Sequence, residues 1–427
     1  MTSFSWLHLT DLHWGMPDLP HLWPRMQDKF FTDLKTLYAK SGPWDLVLFT
    51  GDLTYQGGAE EFEKVDSVLE KLWKHLDRLG PKPSLLAVPG NHDLTRPDSS
   101  QPAVILLQEW SARQGIRSDF WNNPTSPYRR VVKAAFRNYL SWWDRQRLKP
   151  PGVNVGMLPG DFSFTLTKGA AKLGVVGLNT AFLQLTAGDY KGKLDLSARQ
   201  FHAACGGDSG PEWAREHHAC LLLTHQPQEW LTPDSQKDFN AEIADPGQFA
   251  VHLFGHMHEP FYNVVSVGGA EARCFWQGRS LFGLEYFVGH DDTQAERLHG
   301  YSAGRIELNE KDSTGSVTFW PREARRIQGG AWRVVRDQSY VLTEEDCVEP
   351  RRINLLKPFG ATAGSTTEDV VVVFAQGEQL LQPFGATAGS TTENVVVVFG
   401  QGEQLLKSTA RWERPEVSFR RLSKEEE

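Results

Sequence analysis

The sequence of 427 residues predicts an α/β fold: a largely parallel sheet first, then a helical insertion, then a second half with a mostly antiparallel part. Three observations carry that expectation. Up to Val88, short apolar runs that read as buried strands alternate with long amphipathic helical stretches. From Leu94 to Pro159 that alternation gives way to helical pieces punctuated by Pro, Ser and Arg. Beyond Ala272, short segments of strand period follow one another with no long helix between them.

The first strand is Trp6 to Thr10, running into Asp11-Leu12-His13, where two-residue periodicity points both polar side chains to one side. A helix from about Trp23 to Lys40 buries Phe30, Phe31, Leu34 and Leu37 or Tyr38 as one stripe. Asp45 to Thr50 is the second strand and ends at Gly51-Asp52-Leu53-Thr54. An amphipathic helix, about Ala59 to Leu79, places Phe62, Val65, Val68, Leu69, Leu72 and Leu76 on one face. It returns the chain to Leu85-Leu86-Ala87-Val88, a strand that delivers Pro89-Gly90-Asn91-His92-Asp93. Parallel strands joined by right-handed crossovers put their following loops at one sheet edge, where α/β proteins place their chemistry.

The insertion, about 94–160, reads as a cap. Its best helix, roughly Tyr128 to Leu148, carries Val132, Phe136, Tyr139, Leu140 and Trp143 on one stripe and is rich in Arg elsewhere. Its aromatics read as core rather than as base-stacking platforms, and its basic face as solvated surface rather than as a contact for an anionic substrate. Strands resume at Phe162 to Leu166 and Lys172 to Asn179, and a short helix is expected around Ser197 to Cys205. Cys220 to Leu223 ends in Thr224-His225-Gln226-Pro227, and Phe249 to Phe254 ends in Gly255-His256-Met257-His258. Segments near Ala272 to Phe275, Leu284 to Val288, Gly304 to Leu308 and Ser316 to Trp320 read as antiparallel strands. A first domain is expected over 1–325 and a C-terminal extension over 326–427. The extension holds a tandem repeat, 355–379 and 380–404, that differs only at Lys357/Gln382, Asp369/Asn394 and Ala375/Gly400. Each copy is a Gly/Ala/Ser/Thr-rich linker followed by Val-Val-Val-Val-Phe, so the two could pair as a hairpin or fill a sheet edge. Arg420 to Glu427 reads as disordered.

Composition narrows the function. A hydrophobic share of 40% with 15 Trp and 24 Phe is ample for a packed core, and no apolar run is long enough to span a membrane. Four scattered cysteines suit reduced thiols, and with no leader-like start they point to the cytoplasm. A net charge of -8 argues against a protein that coats nucleic acid nonspecifically.

The strand-end residues then form a set: Asp11, His13, Asp52, Asn91, His92, His225, His256 and His258. Singly, each could be a cap, a turn or a satisfied core histidine. Together they offer carboxylate, amide and imidazole donors without thiolates, which suits Mn, Fe, Zn, Ni or Mg rather than a structural zinc cage. The set is too large for one tetrahedral site and right for two ions sharing a carboxylate. Two such ions hold a bridging hydroxide and neutralise an attacked phosphate.

Asp-x-His, Gly-Asp, Gly-Asn-His-Asp, a lone His and Gly-His-x-His, in this order from Asp11 to His258, resemble the calcineurin-like metallophosphoesterases. The resemblance implies a four-layer α/β/β/α double β-sandwich with mixed sheets. It implies one divalent ion, manganese foremost, held by Asp11, His13, Asp52 and His258, and a second held by Asp52, Asn91, His225 and His256. His92 would then act on the transition state or leaving oxygen, with Asp93 as its partner. Gly51 to Thr54, Gly57 and Glu60, with Asp93 after Asn-His, most resemble the bacterial cyclic-nucleotide-phosphodiesterase-like branch. The implied activity is phosphodiester hydrolysis on a nucleotide or nucleic acid. A phosphomonoesterase and a non-catalytic scaffold or effector module are the alternatives.

Overall fold

The computed structural model describes residues 2–17, 19–207, 209–281, 285–288, 293–296, 299–328, 331–359, 373–375, 395–401 and 404–410. The expected Leu284 and the terminal stretch Arg420 to Glu427 lie outside these residues, as do most of the two repeat copies.

Strand β1 (Thr2–Leu9) leads through helix α1 (Leu19–Ser41) to β2 (Leu46–Thr50), and α2 (Ala59–Leu76) leads to β3 (Ser84–Val88). These three strands are parallel, as their crossover helices require. The cap comprises α3 (Pro102–Gln108), α4 (Gln114–Asn122), α5 (Pro127–Ala135) and α6 (Arg137–Arg145). The second sheet follows with β4 (Asn154–Val155), β5 (Phe162–Lys168), β6 (Ala171–Gly177), α7 (Ala198–Ala204), β7 (Ala219–Leu223), β8 (Val251–Phe254), β9 (Phe261–Val265) and β10 (Arg273–Gln277). Strands β11 (Glu285–Val288) and β12 (Thr293–Glu296) pair with each other. The chain then returns to the first sheet with β13 (Gly300–Asn309), β14 (Thr314–Arg326), β15 (Trp332–Arg336) and β16 (Arg351–Asn354).

The first sheet runs β15-β14-β13-β1-β2-β3, with β16 beside the other end of β14. The second runs β4-β5-β6-β7-β8-β10-β9. Both are mixed, because β13 joins β1 antiparallel and β5 joins β6 antiparallel. They pack face to face: Trp276 of β10 stacks on Phe319 of β14 at 4.0 Å and donates its indole N–H to Ser302 of β13 at 3.0 Å. Helix α1 covers the first sheet through β13 and β15, and α7 covers the second through β6. The result is the expected α/β/β/α sandwich.

The cap helix expected over Tyr128 to Leu148 is two helices that break at Phe136, where the backbone leaves helical geometry (φ -89°, ψ 14°). The bend brings both apolar faces inward, and Val132, Phe136, Tyr139, Trp142 and Trp143 are all buried, so the aromatics are core. Tyr139 donates to the Ala87 carbonyl at 2.9 Å and Trp142 to Asp66 at 2.7 Å, which fastens α6 to β3 and α2.

The chain forms two compact units, Met1–Phe359 and Gly360–Glu427. The first extends past 325 because β15 and β16 complete the outer edge of β14. Within the second unit, β17 (Val373–Ala375) and β18 (Val395–Gln401), one from each repeat copy, pair in parallel, and β19 (Gln404–Ala410) pairs antiparallel with β18. The copies therefore do not form the hairpin considered from sequence. The linker between them is long enough to return the second strand in the same direction.

Candidate metal centre

Six loops after strands supply the site: those after β1, β2, β3, β7, β8 and, from behind, β10. Asp11 and His13 follow β1, Asp52 follows β2, Asn91 and His92 follow β3, His225 follows β7, and His256 and His258 follow β8. The two sheets contribute from opposite sides, and backbone bonds weld the loops together: Asp11 N–H to the Gly51 carbonyl at 3.0 Å, His13 N–H to the Asp52 carbonyl at 2.9 Å and Gly255 N–H to the His225 carbonyl at 3.1 Å.

The local backbone is unlike the strand ends read from sequence. Asp11, His13, Asp52, His256 and His258 all have positive φ, between 49° and 75°. Among the described residues only two other non-glycine positions do so. Each such residue costs on the order of 1 kcal/mol or more, and such strain concentrates where a site over-determines it. Asp11 and His13 are thus aimed by left-handed turns, not by strand periodicity. Glycines clear the space: a Cβ on Gly255 would overlap the Thr10 hydroxyl and the Asp11 carboxylate, and one on Gly90 would overlap Asp52.

All seven expected ligands come together. Asp11 Oδ1 lies 3.4 Å from His258 Nε2 and 3.7 Å from His13 Nε2, and the two imidazole nitrogens are 3.2 Å apart. Asp52 Oδ2 lies 3.2 Å from His225 Nε2 and 4.0 Å from His13 Nε2, so it stands between two clusters. Around His225 Nε2, Asn91 Oδ1 is at 3.2 Å and His256 Nδ1 at 3.3 Å. Ligand atoms of Asp11, His13 and His258, and of Asp52, His225 and His256, each fit around one ion; those of His13, Asp52 and His92 also converge.

These donors fit cations rather than one another. Asp11 Oδ1 is buried and, among the described residues, finds no hydrogen-bond donor in bonding geometry. His225 Nδ1 meets the Thr50 carbonyl at 2.7 Å and so must donate, which leaves Nε2 as the nitrogen that faces Asp52, Asn91 and His256. Among the described residues no lysine or arginine pairs with Asp11 or Asp52. The electrostatics agree. Burial pushes His13 and His256 down to about 3. Burial also works against a charged His225, yet Asp52 and Asp11 hold it at about 9. Burial would raise Asp11 and Asp52, but neighbouring imidazoles, His258 for Asp11 and His225 for Asp52, hold both below the ordinary carboxylate range. The pocket therefore draws positive charge to its centre.

His92 is half-buried at the rim. Its backbone N–H donates to Asp52 Oδ1 at 2.8 Å, and its Nδ1 meets the Tyr55 carbonyl at 2.7 Å, leaving Nε2 as the nitrogen facing the ligands. Asp93, expected to partner His92, does not. Its Oδ1 accepts from Thr54 N–H at 2.9 Å and Thr54 Oγ1 at 3.0 Å, and its Oδ2 accepts from Gly90 N–H at 2.9 Å. Fully buried, it ties the loop after β2 to the loop after β3, and burial beside Asp52 raises it to about 6.

Sequence reading passed over the supporting residues. Thr10 donates its hydroxyl to Asp11 Oδ2 at 2.7 Å, Ser280 to the Asp11 carbonyl at 2.9 Å, and Gln226 its amide to Asn91 at 3.1 Å. Trp230 meets the His256 ring edge-on at 4.0 Å. Thr10 and Gln226 adjoin motif residues, which was the available signal; Ser280 and Trp230 carried none.

The calcineurin-like phosphoesterase family model matches residues 4–260. Comparison with the curated proteins gives no match. Among solved structures the chain is similar to a putative 5'-nucleotidase from Staphylococcus aureus in complex with alpha-ketoglutarate, at 12% identity and a TM-score of 0.33, over 81% of this chain and 57% of that one. It is similar to GAP50, the anchor in the inner membrane complex of Plasmodium, at 10% identity and a TM-score of 0.38, over 83% and 90%. It is also similar to the purple acid phosphatase PPD1 from yellow lupin seeds, at 9% identity and a TM-score of 0.40, over 84% and 54%. The chain thus spans little more than half the length of the first and third of these structures.

Proposed function

The chain belongs to the calcineurin-like phosphoesterases, and from that premise we propose that it is a two-metal phosphodiesterase acting on a nucleotide or nucleic-acid ester. The observation that carries this reading is Asp52, whose Oδ2 stands between an Asp11–His13–His258 cluster and an Asn91–His225–His256 cluster. Asp11, His13, Asp52 and His258 would hold one ion, and Asp52, Asn91, His225 and His256 the other. Two divalent ions, when bound, supply Lewis acidity and a nucleophilic oxygen from water.

The protein's own residues set the rest. Asp11 and Asp52 offset two of the four positive charges of such a pair. One hydroxide and a phosphodiester monoanion would offset the other two. His92, with its Nδ1 proton held on the Tyr55 carbonyl, delivers a proton from Nε2 to the leaving oxygen when it is protonated. Tyr55, stacked against His92 with centroids 5.5 Å apart, steadies that ring at the rim. Among the described residues no helix is long and apolar enough to cross a membrane.

The test is hydrolysis of bis-p-nitrophenyl phosphate against p-nitrophenyl phosphate by manganese-loaded protein. Preference for the diester is expected. Exclusive monoester hydrolysis would favour a phosphomonoesterase, and metal-replete protein inactive on both would favour a scaffold.

A further inference from the structure

We propose that Gln226 is a positioning residue for the second ion: held by Thr180, it fixes the Asn91 amide with its carbonyl oxygen turned toward His225 and Asp52. This rests on the two-ion reading of the site. Gln226 and Thr180 are each 1% exposed, so their polar atoms must find partners within the protein.

The hydrogen-bond directions form a chain that starts at the Gln226 backbone N–H. The Gln226 backbone N–H donates to Thr180 Oγ1 at 3.0 Å. That occupies the hydroxyl as an acceptor and sends its own proton to the Gln226 side-chain oxygen, which it contacts. The Gln226 amide is thereby oriented, with its NH2 on the far side. One of those protons goes to Gln184 Oε1 and the other to Asn91 Oδ1, the latter at 3.1 Å. A flipped Asn91 would set NH2 against NH2 in a buried place, leaving a donor unmet at about 1–3 kcal/mol. Asn91 Oδ1 therefore stays where a second lone pair faces His225 Nε2 at 3.2 Å, and that nitrogen faces Asp52 Oδ2 at 3.2 Å.

An amide ligates a hard or borderline cation through oxygen and not through its NH2. The relay from Thr180 through Gln226 thus decides whether Asn91 can serve as a ligand at all. It reaches the second cluster through Asn91; among the described residues Asp11 and His13 make no hydrogen bond to it.

The experiment titrates metal-free protein with Mn2+ by calorimetry, for the wild type, Gln226→Leu and Thr180→Val, with thermal melts of the metal-free forms to confirm folding. Wild type should bind two ions. Gln226→Leu, which keeps the side-chain volume, should leave the first ion's affinity unchanged and weaken the second roughly 10- to 100-fold, as loss of a partner behind a ligand does. Thr180→Val, which frees the glutamine to turn over and takes the acceptor from its backbone N–H, should weaken the same ion by a smaller factor, and it serves alone if the leucine variant does not fold. An unchanged second affinity, or equal weakening of both ions, would overturn the role of Gln226. A wild type that binds a single ion would instead overturn the two-ion reading.

Discussion

Asp52→Asn is the perturbation that bears hardest on the shared ligand. The side chain is 1% exposed; its Oδ1 accepts the His92 backbone N–H at 2.8 Å, and its Oδ2 lies 3.2 Å from His225 Nε2 and 4.0 Å from His13 Nε2. Asparagine is isosteric and can still accept from His92 through its oxygen, so the fold should persist. What disappears is one negative charge lying between the two clusters. A unit charge pair about 4 Å apart at an effective dielectric constant of about 20 is worth about 4 kcal/mol. At 1.4 kcal/mol per factor of ten, that is on the order of a thousandfold in affinity, and it applies to both ions because Asp52 faces both. The assay is metal content by mass spectrometry after dialysis against micromolar Mn2+, with bis-p-nitrophenyl phosphate hydrolysis in parallel. The variant should come away with less than one ion per chain and no measurable turnover. Metal content equal to wild type would refute the shared ligand, and loss of one ion alone would place Asp52 in a single cluster.

His92→Ala should keep both ions and lose about 100-fold or more in turnover, the range for a positioned proton donor; a drop in metal content would make His92 a ligand. Asp93→Ala should keep His92 oriented, since the Tyr55 carbonyl does that, but strand two buried N–H groups, those of Thr54 and Gly90, lowering stability by about 3 kcal/mol in urea unfolding. Unchanged stability would sever the proposed tie between the loops. Asp161 lies fully buried away from the ligands, and burial raises it to about 7 against an ordinary 3.8. Its folded form holds the proton more tightly than the unfolded form, so ionisation penalises folding increasingly as pH rises from 4 to 7, by up to about 4 kcal/mol. Asp161→Asn should flatten that slope, and a slope identical to wild type would show that Asp161 is ionised in the fold.

Local pattern made much of this molecule legible. The strand-helix order up to Val88, the apolar face of α2 and the cap aromatics follow from periodicity, which is a property of neighbouring residues. All seven candidate ligands were visible because each stands just past an apolar run. Their backbone was not: the positive φ of Asp11 and His13 is imposed by bonds to Gly51 and Asp52 that arise only when β1 and β2 lie side by side. The return of β13 to the far side of β1, about 300 positions away in sequence, depends on tertiary packing that no window of sequence contains. Asp93 shows the same limit. Its place beside His92 suggested a partner, but its carboxylate turns to Thr54, and the partner of His92 is a backbone carbonyl, which sequence does not distinguish.

Stepwise addition of Mn2+ to metal-free protein, following ion binding and bis-p-nitrophenyl phosphate hydrolysis together, tests the central claim most directly. Two ions per chain should bind, with hydrolysis rising as the second fills. One ion at saturation, or two ions with no hydrolysis of the diester, would contradict it.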